Sequence, residues 1–247
     1  MSKSSGAVRA VRRALTSPDR DSRALRRYLL NLALGAIVII VVLGPLGLLV
    51  EQLTSDQAFR SFDLFPAKDM HPVVRHSPGL VDALEVVSFF GSPPWFYVLI
   101  GASVIYLWRK QQRMLATFMV VSGLLGGVVD TAVKVWVDRP RPTLPHPVAL
   151  GPQGSFPSGH VMTATIGYGL ILLVFLRPME RLSRAFAFLG AFLFVCVIGF
   201  ARLALGVHFL SDVVGGFVLG AAWLCASIIS FNRWRRERGD ASSGLAL

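Results

Sequence analysis

Three short polar clusters interrupt an otherwise apolar chain. Lys134 stands seven positions before Arg141-Pro142. Pro157-Ser158-Gly159-His160 opens one apolar run. Arg202, His208 and Asp212 straddle a short turn before the last apolar run. Together they supply three cations, two imidazoles and one carboxylate. Ionisable groups in or beside membrane-like segments are costly to place and usually functional. Acidic side chains suited to a metal are nearly absent from the three clusters, so no metal or other cofactor is expected. A site rich in Lys and Arg takes an anion, and phosphate fits best.

The spacings carry chemistry of their own. His208 and Asp212, at i and i+4, share a face of a helix. The carboxylate can accept the Nδ1–H and leave Nε2 bare as a nucleophile, the orienting logic of a triad. Ser158 and Gly159 stand where a helix begins, and free N–H groups there cradle phosphate oxygens. His160, in the first turn, is close enough to protonate a leaving oxygen. Bland alternatives exist: a core histidine satisfied by Asp212, and a serine that merely caps a helix. Arg202 at its spacing and the complete Pro-Ser-Gly-His string favour the functional reading.

The three clusters resemble the signature of the type-2 phosphatidic acid phosphatase superfamily, lipid phosphate phosphatases related to bacterial haloperoxidases. That signature is KxxxxxxRP, PSGH and SRxxxxxHxxxD. It is matched at Lys134 to Pro142, Pro157 to His160, and Arg202 to Asp212, and the resemblance covers about 85–230. It implies that His208 attacks phosphorus to form a phosphohistidine and that Asp212 orients it. His160 would protonate the leaving group and then activate water. Lys134, Arg141, Ser158, Gly159 and Arg202 would bind the phosphoryl oxygens without a metal. One position departs: Ala201 replaces the signature Ser, and a lost hydrogen bond to a charged group costs on the order of 1.5–3 kcal/mol.

These residues need a scaffold, and the composition names it. The 247-residue chain is 53% hydrophobic and 16% charged, yet carries a net charge of +11. Soluble domains average about 25% charged residues. Residues 28–50 hold no charge, and about 20 apolar residues span a bilayer. This excludes a soluble globular enzyme and a disordered basic tail. The expected fold is all-α: a bundle of six transmembrane helices, about 28–50, 93–108, 114–137, 158–176, 185–201 and 208–231. The active site lies at the outer ends of helices three to six. A basic segment, 1–27, precedes the membrane domain at 28–232, and a basic tail, 233–247, follows it. The first run is too long for a signal-peptide core, so it is expected to stay as a span. Gly44 and Pro45 mark a point where it can kink. Residues 51–90 have the amphipathic spacing of interfacial helices, with a short soluble cap as the alternative. Prolines in 138–157 forbid regular structure.

The basic residues orient the bundle. Most lie in 1–27, 109–113, 177–184 and 233–238, which share one side of a six-span chain. Both termini are therefore expected in the cytoplasm, and the site on the outer face of a bacterial plasma membrane. Asp130, four positions before Lys134, is placed to pair with it. Arg139 is expected at the rim, contacting substrate or headgroups. His71, His76 and His146 fall in outer loops with no role. Trp95, Trp108, Trp136, Trp223 and Trp234 read as interface anchors, and Cys196 and Cys225 as small packing residues. The N-terminal arginines suit topology and anionic lipid. No groove-reading partners accompany them, so no nucleic acid is expected. The expected partners are the bilayer and a lipid substrate. Rival readings are a phosphotransferase on the same scaffold and an anion-binding membrane protein without turnover.

Overall fold

In the computed structural model, residues 4–53, 56–144, 154–239 and 244–245 are described, with side chains from Asp21 onward. The side chains of Lys3 to Arg20, the loop centre with His146, Pro147 and Pro152, and parts of the tail lie outside that description. Among the described residues the ordered elements are all helices: α1 (Ser4–Leu53), α2 (Gln57–Arg75), α3 (Pro78–Phe89), α4 (Pro93–Arg109), α5 (Arg113–Val137), α6 (Gly159–Phe175), α7 (Arg181–Ala204) and α8 (Leu210–Arg238).

The six apolar runs correspond to α1 and α4–α8. By length and hydropathy, four helices can cross a bilayer alone: α1 from Asp21, α5, α7 and α8. The pair α3–α4, bent by 40°, qualifies jointly as a fifth. At 17 residues, α6 stands at the short limit of a span. Leu34, Val41, Val98, Ile105, Phe186 and Ile229 face outward, as an apolar solvent requires.

The last of these helices runs on past its expected end. Arg233–Arg238 continue α8, because Trp234 is buried and stacks on Tyr28 of α1 at 4.6 Å. The arginines are carried along by an aromatic that needs cover. Trp223 is also core: it is fully buried, and its Nε1–H donates to the Ser122 carbonyl at 2.8 Å. Neither tryptophan is an interface anchor. The cysteines are free and exposed rather than packed.

Close helix packing rests on small residues. A Cβ on Gly126 would fall 2.9 Å from the rings and methyls of Trp223 and Ile166. Gly44 lies directly against Trp136, and Gly47 against Phe156 and Val137. There α1 runs unbroken through Pro45 and meets the end of α5. The mixed segment 51–90 forms α2 and α3, which lie against α7, with α2 also on α8. The buried face of α2 is Asp63, Ala67, His71 and Val74. Half of that face is polar, so α2 packs on something other than a plain apolar core.

Candidate active site

The three polar clusters meet where α5 ends, α6 begins, α7 ends and α8 begins. His208 is not on a helical face, as i,i+4 spacing suggested. It lies in the turn before α8, whose N-cap is Phe209. That turn needs Gly206, whose φ of +74° suits a residue without a Cβ. Asp212 sits in the first turn of α8, and its Oδ2 accepts the Phe209 N–H at 2.9 Å. The same oxygen lies 3.4 Å from His208 Nδ1. On the other side of the ring, Arg141 Nη1 lies 3.4 Å from Nε2 and donates to the Val207 carbonyl at 2.7 Å. A guanidinium can only donate, so Nε2 is the bare nitrogen and Nδ1 holds the proton.

Burial is the main force on this imidazole. It pushes the His208 pKa down to about 4, against the pull of Asp212 and with help from Arg202 and Arg141. At neutral pH His208 is thus uncharged, the form that can attack an electrophile. Burial also draws the Arg141 pKa down, and Asp212 opposes it.

The surrounding groups converge. His160, in the first turn of α6, lies within electrostatic reach of Arg202, His208, Lys134 and Arg141. Lys134 is buried, and its Nζ donates to Asp130 Oδ1 at 2.6 Å, the pairing their spacing suggested. Gly159 makes room for it: a Cβ there would fall 2.8 Å from Nζ. Ser158 is fully buried, and its N–H donates to the Asp212 carbonyl at 2.9 Å, tying α6 to α8. Ser158 Oγ and Arg202 Nε are buried donors without a partner among the described residues. Arg202 Nη1 donates to Ser88 Oγ of α3 at 2.8 Å. Ala201 is packed with Val74, Leu84, Ala204, Leu205 and Val207, an apolar setting for the missing hydroxyl.

Arg139 corrects the rim assignment. It is 1% exposed and sits behind Asp212, not in front of it. Nη1 donates to Asp212 Oδ1 at 2.6 Å and to Ser211 Oγ at 2.7 Å; Nη2 donates to Asp63 Oδ2 at 2.8 Å. Nε faces Glu51 at 3.3 Å, and the guanidinium lies 4.1 Å from the Phe209 ring. Asp63 in turn accepts the Ser211 N–H at 2.7 Å and the Ser211 hydroxyl at 2.6 Å. A sequence reading that stopped at the three clusters missed Asp63 and Glu51. The one available signal was an acid among apolar residues on the inner face of α2. His71, expected in a loop, is buried on that face, with Nδ1 beside Gly206.

This constellation stands on an all-helical membrane scaffold, and the relatives of the chain are membrane phosphatases. A family model, the PAP2 superfamily, matches residues 114–236, and the chain belongs to that superfamily. Phosphatidylglycerophosphatase B of Bacillus subtilis (strain 168) is 29% identical over 153 residues, 60% of this chain and 73% of that protein. The crystal structure of a transmembrane PAP2 type phosphatidylglycerolphosphate phosphatase from Bacillus subtilis superposes with a TM-score of 0.63 at 25% identity. It covers 77% of this chain and 94% of that one. LpxE of Aquifex aeolicus matches with a TM-score of 0.47 at 25% identity, over 69% of this chain and 94% of its own.

Proposed function

We propose that this protein hydrolyses a lipid phosphate or diphosphate through a phosphohistidine on His208. Polyprenyl diphosphate, phosphatidate and phosphatidylglycerol phosphate all carry the required head, and the Bacillus subtilis relatives favour the last. The observation that carries the reading is the His208 ring, held between Asp212 at Nδ1 and Arg141 at Nε2, with buried donors around it.

In the first step the Nε2 lone pair forms a bond to phosphorus. The bond from phosphorus to the leaving oxygen breaks, and His160, protonated beside the bound anionic head, gives that oxygen its proton. Asp212 stabilises the cationic phosphoimidazolium. Lys134, Arg141, Arg202, Ser158 and the Gly159 N–H hold the equatorial oxygens, where charge develops. In the second step a water attacks phosphorus, His160 takes its proton, and the P–N bond breaks to release phosphate. His208 returns to its neutral Nδ1–H form. Cations do the work of charge stabilisation, so EDTA leaves the rate unchanged.

The membrane frame belongs to the same proposal. Of six spans, α1 and α4–α8, the third to sixth (α5–α8) carry the site at their outer ends, with α2 and α3 along the interface and both termini cytoplasmic. The distribution of Lys and Arg supports that orientation. The test is phosphate release from phosphatidylglycerol phosphate by purified protein in detergent with EDTA. Wild type turns over and His208→Ala does not. Undiminished release by His208→Ala sinks the mechanism, and transfer to an added alcohol exceeding hydrolysis makes the protein a phosphotransferase instead.

A further inference from the structure

Helices α7 and α8 meet near the active site and part below it. Gly199 lies close under Val213, and the rings of Phe192 and Phe217 touch edge to face at 5.2 Å. Around and below that contact the two helices leave a groove of about 500 Å³, floored by α6. Leu172, Phe188, Leu224 and Ile228 line its walls, and Arg181 and Arg184 stand at its far end. That end belongs to the start of α7, opposite the His208 end of the bundle.

We propose that this groove binds one anionic phospholipid from the leaflet opposite the active site. An acyl chain lies between α7 and α8, and the headgroup phosphate rests on Arg181 and Arg184. The dimensions agree. From Arg184 to Val195, α7 climbs about 16 Å at 1.5 Å per residue. One leaflet of a hydrocarbon core about 30 Å thick is about 15 Å deep. The charge agrees as well. Arg177, Arg181 and Arg184 outnumber Glu180 in this turn, and guanidinium pairs with phosphate through two parallel hydrogen bonds. Arg184 is half-buried and Arg181 exposed, and both line the groove. Basic pockets between transmembrane helices are a recurrent setting for anionic headgroups. None of the residues proposed to hold the phosphoryl group lines this groove, so this lipid is distinct from the substrate.

The proposal needs the membrane scaffold but not the catalytic reading. Its test is lipid retention by the full chain in native mass spectrometry, after exchange into detergent with phosphatidylglycerol or phosphatidylcholine. Wild type is expected to hold one phosphatidylglycerol per chain, at least tenfold in preference to phosphatidylcholine. Arg181→Ala/Arg184→Ala holds both equally, and Leu224→Trp, which fills the groove, holds neither. Release of phosphate from a short-chain soluble ester stays within twofold of wild type in both variants. His208→Ala retains lipid as wild type does, which separates this site from the substrate site even if the enzyme reading fails. Equal retention of both lipids by wild type, or an unchanged preference in the double arginine variant, means annular lipid only and overturns the proposal. A dimer without lipid puts a second copy of the chain in the groove and overturns it too.

Discussion

Charge is handled in opposite ways at the two ends of this bundle. At the far end of α8, Arg27 faces Glu237 at 4.0 Å, Arg233 faces Glu237 at 3.6 Å, and Arg238 meets Asp21 at 2.7 Å. These pairs are partly or largely exposed. Exposed pairs contribute about 0.2–1 kcal/mol each, because water already solvates both ions. At the near end, Arg139, Asp63 and Asp212 are almost wholly removed from solvent. There each ion relies on its partners for the solvation it has lost. The same residue types therefore form exposed, weakly coupled pairs at one end and a buried frame around an imidazole at the other.

The sharpest way to break the contrast is Arg139→Ala. It leaves Asp212 and Asp63 facing each other without a cation, and unpairing a buried charge costs about 3–5 kcal/mol. A large fall in Tm is expected, with kcat lost beyond what the unfolded fraction explains. Arg139→Lys keeps the charge but not the planar fork, and lies between. If Arg139→Ala is as stable and active as wild type, the frame has no function.

Next comes Gly159→Ala, which drives a methyl against the Nζ end of Lys134. The lysine moves, so Tm changes little. A cation displaced by about 1 Å can cost about 10²-fold in rate, and steady-state kinetics reports it.

A smaller effect concerns pH and stability. An unfolded histidine titrates near 6.5, while folded His208 titrates at about 4. Between those values the unfolded chain binds a proton that the native site refuses, so stability falls as pH drops from about 6.5 to about 4. Thermal melts across that window should show His208→Asn with a shallower decline than wild type. The smallest effect is Arg238→Ala at the exposed end, where a change under about 1 kcal/mol is expected. A larger one would make that end structural as well.

The comparison also separates what was legible in the sequence from what was not. Lys134, Arg141, the Pro-Ser-Gly-His string, Arg202, His208 and Asp212 form short local patterns on the ends of apolar runs, and the structure brings all of them together. Arg139 was misplaced because its partners, Asp63 and Glu51, come from segments more than seventy positions away. No local spacing records such a contact. Trp223 and Trp234 were misplaced for a related reason: an aromatic in an apolar run looks alike whether it faces lipid or a neighbouring helix. The cysteines erred the other way, since an apolar run in a membrane protein has an outer face as well as a core.

The Arg139 network carries a consequence for assembly. Glu51 and Asp63 leave the ribosome before Arg139, and Asp212 leaves long after it. The guanidinium must therefore wait, half satisfied, until the last helix inserts and delivers Ser211 and Asp212 against it. Final docking of α8 and orientation of His208 are thus one event. A chain stalled before that point leaves Arg139 without Ser211 and Asp212, and His208 without the carboxylate beside its Nδ1.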